Sequence, residues 1–129
     1  MSYASGIVRT ALAGISGVTD IVGQKIQVNS ATGLQPPAIY VMLKSEDEDY
    51  LMTNAGGHIR STVSVHCLAA SGHQCATLGE AVIAGLKNFR GTAAGKDATI
   101  MKGGADVTDY SDQGGLHRRV IDFQVIWNR

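Results

Sequence analysis

Four side chains of the kinds that bind zinc lie close together in the middle of the sequence: His66, Cys67, His73 and Cys75. Imidazole and thiolate are the usual ligands of structural zinc. The expected local structure argues against such a site, because His66 and Cys67 are neighbours on a predicted strand and their side chains leave on opposite faces. Both cysteines also fall on apolar stripes. The pattern therefore predicts two buried thiols and two surface histidines, with no metal and no cofactor.

A cysteine nucleophile paired with a histidine is the second kind of chemistry that these residues could support. Activated cysteines lie in electropositive, partly exposed surroundings, whereas thiols in an apolar core are inert. Nothing beside Cys67 or Cys75 in the sequence marks either thiol as activated. We therefore predict no catalytic residues and expect a protein that is not an enzyme.

The most concentrated charge in the chain is the acidic run Glu46, Asp47, Glu48 and Asp49, within the polar stretch 45–57. The run lacks the spaced oxygen ligands and the glycine of an EF-hand loop. Blocks of like charge are instead typical of solvated segments that contact partners. The pattern predicts an exposed loop or the tip of a long hairpin, facing solvent or a partner.

The glycine pairs and the one basic cluster lack the patterns of nucleotide or nucleic-acid binding. Gly56-Gly57, Gly103-Gly104 and Gly114-Gly115 do not have the spacing of phosphate-binding loops and are typical of turns. His117-Arg118-Arg119 is too short for a nucleic-acid patch. Eleven basic and eleven acidic residues give zero net charge. The sequence therefore predicts no sequence-specific recognition of nucleic acid.

The hydrophobic pattern predicts the elements that would position these residues. Two helices are expected, one over residues 2–16 and one from Gly72 to Phe89 with Ser71 as its N-cap. Strands are expected at Lys25–Asn29, Ala38–Lys44, His58–Ala69 and His117–Trp127, with weaker ones at Thr99–Lys102 and Asp106–Tyr110 around a Gly103-Gly104 turn. The order predicts an α+β fold with a mixed, mostly antiparallel sheet and two helices packed on one face.

Length and composition are those of one small domain, spanning residues 1–129. The charged fraction is 17%, below the ~25% of average proteins, which fits either a loop-rich fold or a surface that partners cover. Residues 1–16 do not have the pattern of a secretory signal, and no window approaches the ~20 apolar residues of a membrane span. We expect a cytosolic protein with reduced thiols and no membrane contact.

The ordered set of segments resembles the small tail-completion, or tail-terminator, proteins of long-tailed bacteriophages and prophages. Four stretches carry the resemblance: Asp20–Ile26 after the first helix, Leu34–Val41 with its proline pair, Val65–Ala69 before the second helix, and the closing strand His117–Trp127. Together with the helices between them, these stretches cover nearly the whole chain. Their motifs are mainly hydrophobic patterns.

The resemblance implies a structural virion protein that forms a ring, commonly a hexamer, on the head-proximal end of the tail tube. Such a ring stops tube polymerisation at the correct length and offers a surface for joining the filled head, with DNA passing through it. The implied partners are further copies of the chain, the tail tube protein and the head–tail connector or stopper protein. The implied location is the virion tail, with assembly in the host cytoplasm.

Two sets of residues are candidates for the contacts of such a ring. Glu46, Asp47, Glu48 and Asp49 are predicted to face the tail tube or the lumen, where acidic side chains would repel passing DNA. The second set is predicted at subunit contacts because arginine is enriched in interfaces. It consists of Arg60, Arg118 and Arg119.

Two other functions are compatible with the same sequence. A head–tail connector or stopper protein would have similar size and ring symmetry. A small α+β ligand-binding domain or enzyme would bring several of the four histidines, His58, His66, His73 and His117, into one pocket.

Overall fold

The computed structural model describes residues 3–29, 35–48, 58–87, 89–111 and 115–128. Within these ranges the chain forms three helices and six strands. The helices are α1 (Tyr3–Ala13), α2 (Ser16–Val22) and α3 (Gly72–Leu86). The strands are β1 (Ile26–Val28), β2 (Ala38–Glu48), β3 (His58–Ala69), β4 (Phe89–Ala93), β5 (Lys96–Ser111) and β6 (Leu116–Asn128).

The six described strands belong to one sheet, in the order β1-β2-β3-β6-β5-β4. β1 runs parallel to β2, and every other neighbouring pair is antiparallel. The sheet is therefore mixed and mostly antiparallel, which confirms the predicted fold class. Two of the strands are short and lie at the margins: β1 flanks only part of β2, and β4 flanks only part of β5.

The core lies between the helices and one face of the sheet. Inward positions on β3 and β6 alternate with period two, as expected where one face of a sheet is buried. They are Ile59, Val63, Val65 and Cys67 on β3, and Ile121, Phe123, Val125 and Trp127 on β6. We call the opposite side of the sheet the open face. In the described part of the chain, no helix has the length and apolar character of a membrane span.

The first predicted helix, 2–16, corresponds to α1 alone, and α2 is a helix that the sequence did not predict, so the described chain has three helices where two were expected. α1 ends at Ala13, and Ile15 takes extended backbone angles (φ −99°, ψ 111°) before α2 begins. α2 has seven residues, of which Val18 and Val22 are buried against the core. So short a helix gives too few apolar repeats for its period to stand out in the sequence.

The helix predicted from Gly72 begins as expected and ends early. The Ser71 hydroxyl accepts a hydrogen bond from the backbone N–H of Gln74 at 3.1 Å, which confirms the predicted N-cap. α3 then stops at Leu86, and Phe89 opens β4. Phe89 still packs against the core, but it does so from a strand. The spacing of Phe89 from the preceding apolar residues is compatible both with the last turn of a helix and with the start of a strand.

β5 is one long strand where the sequence predicted two short strands and a turn. The turn predicted at Gly103-Gly104 is wrong, because β5 continues past both glycines beside β6. The register shifts between Lys102 and Asp106, and Gly104 takes a positive φ of 81°. A bulge of this kind absorbs extra residues without ending the strand. The turn that joins β4 to β5 lies earlier, at Ala94-Gly95.

Candidate interaction surfaces

A carboxylate lies at the centre of the open face. Asp122 of β6 is only 3% exposed. Ser64 of β3 donates a hydrogen bond to its Oδ1 at 2.8 Å, and Lys44 of β2 donates to its Oδ2 at 2.9 Å. Ala105, in the bulged part of β5, adds a backbone hydrogen bond. Groups from four strands therefore meet at one side chain.

The surroundings of Asp122 keep its side chain ionised. Burial alone would raise the pKa of this carboxyl, but hydrogen bonds from Lys44 and Ser64 and the charge of Lys44 outweigh burial, so the pKa is lowered. Both carboxylate oxygens accept hydrogen bonds from groups of the sheet. This arrangement suits a structural ion pair that ties strands together.

A second polar group crosses the open face nearer the start of β2. The rings of Tyr40 and His66 stack with centroids 4.1 Å apart and planes 14° apart. Arg118 binds Asp109 through two contacts of 2.6 and 3.3 Å and also hydrogen-bonds Tyr40. Burial, followed by the charge of Arg118, lowers the pKa of His66. The group thus joins β2, β3, β6 and β5, and its imidazole is neutral at pH 7.

Arg119 lies on the helix side of the sheet, between β6 and α3. Its guanidinium forms a paired contact with Asp106, both distances being 2.8 Å, and also reaches Glu80 at 3.1 Å and the Ala76 carbonyl at 3.4 Å. Hydrogen bonding to Asp106 raises the pKa of Arg119. Gly79 provides the space, because a Cβ there would lie 2.6 Å from Arg119 Cδ. This contact fastens α3 to β5 and β6.

The three arginines predicted at subunit contacts lie in three different environments. Arg118 and Arg119 bind carboxylates of their own chain on opposite sides of the sheet. Arg60 is exposed on β3, where Asp47 is its register partner. The structure does not bring the three side chains together, so they form no single basic patch.

The first three acids of the run lie on a strand, which corrects the prediction that they form a loop. The alternative, the tip of a long hairpin, falls on residues 49–57, outside the described residues. β2 continues through Glu46, Asp47 and Glu48, all paired in register with β3, whereas Asp49 lies outside the described residues. The carboxylate of Glu46 accepts a hydrogen bond from Ser61 Oγ at 2.8 Å. Acidic residues are uncommon in strands, which is why β2 was predicted to end before them. Pairing with β3 overrides that preference.

Both cysteines are buried, as predicted, Cys67 on β3 and Cys75 on α3. Burial raises the pKa of the Cys67 thiol to about 12 and also raises that of Cys75. His73 is exposed on α3, but His66 is half-buried against Tyr40, so its predicted surface position is wrong. Among the described residues no three His, Cys, Asp or Glu side chains converge as metal ligands.

The four histidines are spread over the molecule. His66 lies on the open face, and His73 lies on α3. The ring of His117 is 4.6 Å from that of Tyr110. The register places His58 and His117 at opposite ends of β3 and β6, where they pair with Asn128 and Ala69. The described positions therefore do not assemble the common pocket that a histidine-based ligand site would need.

Large apolar side chains are exposed at four described positions, a feature that sequence reasoning missed. They are Met42, Met101, Val107 and Tyr110, with exposed fractions of 38–53%. One lies on β2 and three lie on β5. The network around Asp122 was also missed. The sequence did hold a signal for it, because Asp122 is an acid in the last predicted strand and Lys44 ends the apolar strand predicted at Ala38–Lys44.

Comparison with known proteins gives a match in fold. No family model matches the chain, and no curated protein matches its sequence. Among the solved structures that match is a chain of the virion of a native gene transfer agent particle, which shares 18% sequence identity. The superposition covers 99% of this chain and 100% of that chain with a TM-score of 0.69. The two chains therefore share one fold along their whole lengths.

Proposed function

We propose that this chain is a structural virion protein that forms a ring on the head-proximal end of a phage-type tail tube. The ring would end tube polymerisation and provide the surface to which the head joins. The observation that carries the proposal is the fold shared with a chain of a gene transfer agent particle over 99% of this chain. The resemblance of the sequence to tail-completion proteins supports the same role.

The ionised groups of the sheet support a structural role. Asp106, Asp109 and Asp122 all have lowered pKa values. For Asp106 and Asp109 the main cause is a hydrogen bond from an arginine. For Asp122, burial would raise the pKa, but hydrogen bonds from Lys44 and Ser64 outweigh it. A carboxyl that acts as a general acid near neutral pH needs the opposite shift. These side chains are suited to holding strands together in a protein that works through its surfaces.

The acidic segment Glu46, Asp47, Glu48 and Asp49 is our candidate for the surface that faces the tail tube or the lumen. Its negative charge would keep passing DNA from adhering. Replacing the four acids with Asn and Gln should impair capping of tubes, whereas Asp20→Asn, at an exposed acid of α2, should not. Normal capping by the fourfold variant would remove this segment from the proposal.

The experiment that tests the proposal is native mass measurement over a wide concentration range, with negative-stain images of the same samples. Closed rings with a central hole are expected. Tail tubes polymerised from the cognate tube protein are then added, and rings should bind one end of each tube and limit its length. Binding to portal-side rings instead of tube ends would assign the connector role. Binding to neither would overturn the proposal.

A further inference from the structure

The two margins of the sheet are stepped in complementary ways. Among the described strands, β1 lies beside Ile39–Val41 only, so the margin passes from β1 to β2 for residues 42–48, which we call the β2 step. On the far side, again within the described part of the chain, β4 lies beside Lys96–Ile100 only. The margin therefore passes from β4 to β5 for residues 101–111, which we call the β5 step. The steps lie at opposite ends of the sheet. A second copy placed alongside would fit β4 into one step and β1 into the other.

Register partners show which residues lie at the same level across the sheet. One row consists of Asp47, Arg60, Ile126, Thr99 and Arg90. Another row consists of Gln27, Tyr40, His66, Val120 and Val107. Each row runs from one margin to the other. Two copies side by side at the same level would therefore bring Arg90 next to Asp47 and Val107 next to Gln27.

The exposed apolar side chains lie on the same two steps. Met42 belongs to the β2 step, and Met101, Val107 and Tyr110 belong to the β5 step. These are the large apolar residues that the described chain exposes. Strand margins that carry such side chains pair readily with further strands. Their placement therefore favours a strand from another molecule at each step.

Charge and strand direction are also compatible with this contact. The β2 step carries Glu46, Asp47 and Glu48, whereas β4 carries the exposed Arg90. Opposite charges on adjacent strands favour pairing. Following the strand directions across the sheet shows that β4 is parallel to β2 and β1 is antiparallel to β5. Both pairings are therefore ordinary ladders.

From these observations we infer that copies of this chain join edge to edge into a continuous sheet. β4 of one copy pairs in parallel with the β2 step of the next, whose β1 pairs antiparallel with the β5 step of the first. The inference rests on the proposed ring and names its subunit contact, which uses two different surfaces, as a ring of more than two copies requires. Edge pairing engages backbone groups, so the open face of the steps stays available to the tail tube.

Disulfide trapping tests the predicted register. Directly opposed residues in an antiparallel pair have Cα atoms roughly 4.5–5.5 Å apart, within the range that a disulfide bridges. Under mild oxidation Gln27→Cys/Val107→Cys should give a reductant-sensitive ladder of dimers and larger species, because Cys67 and Cys75 are buried and do not compete. In the matched control Gln27→Cys/Met101→Cys the second cysteine lies beside Gln124 and not beside Val120. It is displaced by about 13 Å along the sheet and should give no ladder. A ladder from neither pair, or equally from both, would overturn the inference.

A charge exchange tests the second pairing. Arg90→Asp or Asp47→Arg alone should weaken self-association roughly tenfold or more, because like charges would meet at the join. The two changes together should restore it, with circular dichroism verifying that each variant is folded. If all variants form rings and bind tubes as well as the parent protein does, the edge contact is overturned and the proposed virion role is not affected. A chain that stays monomeric both alone and with tubes would overturn both.

Discussion

Lys44 on β2 and Asp122 on β6 form an ion pair although β3 lies between their strands, with Nζ and Oδ2 2.9 Å apart. The lysine side chain passes over β3, where Ser64 bonds the same carboxylate. The carboxylate is 4% exposed and the ammonium 57% exposed. Backbone ladders fix the register only between neighbouring strands, so this contact adds a constraint across three of them.

Replacing the central carboxylate should weaken the fold measurably. We expect Asp122→Asn to lower the free energy of unfolding by about 1–3 kcal/mol, because the buried network loses a charged acceptor. Urea denaturation followed by circular dichroism measures the loss. Asp109→Asn is the matched control: its side chain is 47% exposed, so the loss should be about 1 kcal/mol or less. Equal losses in the two variants would contradict the role given to Asp122.

Alanine at Gly79 should destabilise the protein, against the usual preference of helices. Alanine is normally favoured over glycine in a helix by ~1 kcal/mol. Here its Cβ would lie 2.6 Å from Cδ and Nη1 of Arg119 and would displace that side chain from Asp106. Gly6→Ala in α1 is the control, since nothing lies within 4 Å of the added Cβ. Gly6→Ala should be more stable than the parent protein. If both Gly6→Ala and Gly79→Ala are more stable, Arg119 does not pack against α3.

The stability of the fold should fall as the pH drops below about 6.5, in part because of His66. Burial and Arg118 lower the pKa of folded His66, whereas an unfolded histidine titrates near ~6.5. The unfolded state thus binds more protons below that pH, and the loss is complete only below the folded pKa. Urea midpoints at several pH values should show a shallower decline for His66→Gln. Equal slopes for His66→Gln and the parent protein would contradict the assignment of this pH dependence to His66.

Neither native thiol should react while the protein is folded. The thiolate is the reactive form of cysteine, and burial raises the pKa of Cys67 to about 12 and raises that of Cys75. A chromogenic thiol reagent should detect no free thiol in native protein and two per chain in denaturant. His73→Cys, which places a thiol at an exposed position of α3, should add one that reacts at once. Rapid labelling of the unmodified native chain would contradict the described burial.

The hydrophobic periodicity of the sequence was sufficient to predict the helices and strands that bury one face. β3 was predicted at its observed bounds, Ile59 through Cys67 alternate as expected, and α3 begins at the predicted cap. The pattern failed where local preference and pairing disagree. Gly103-Gly104 reads as a turn in isolation, yet pairing with β6 carries β5 through it. The acids of β2 likewise read as a loop until β3 is placed beside them.

The candidate site was less predictable than the fold. The cysteines were correctly assigned to the core because their apolar stripes are local features. The network around Asp122 depends on bringing Lys44 and Asp122 together across 78 residues of sequence, and no local pattern encodes that register. The stepped margins follow from which strands pair and over what length, so they too become visible only in three dimensions.

The hydrogen bonds of the single tryptophan give the acidic end of β2 an optical reporter. The indole N–H of Trp127 donates to Ser61 Oγ at 3.2 Å, and Ser61 donates in turn to Glu46 at 2.8 Å. Trp127 as a whole is 3% exposed, so its emission in the folded chain should be shifted to the blue. With no other tryptophan in the sequence, any change in that emission arises at this corner of the sheet, and docking there can be followed without a label.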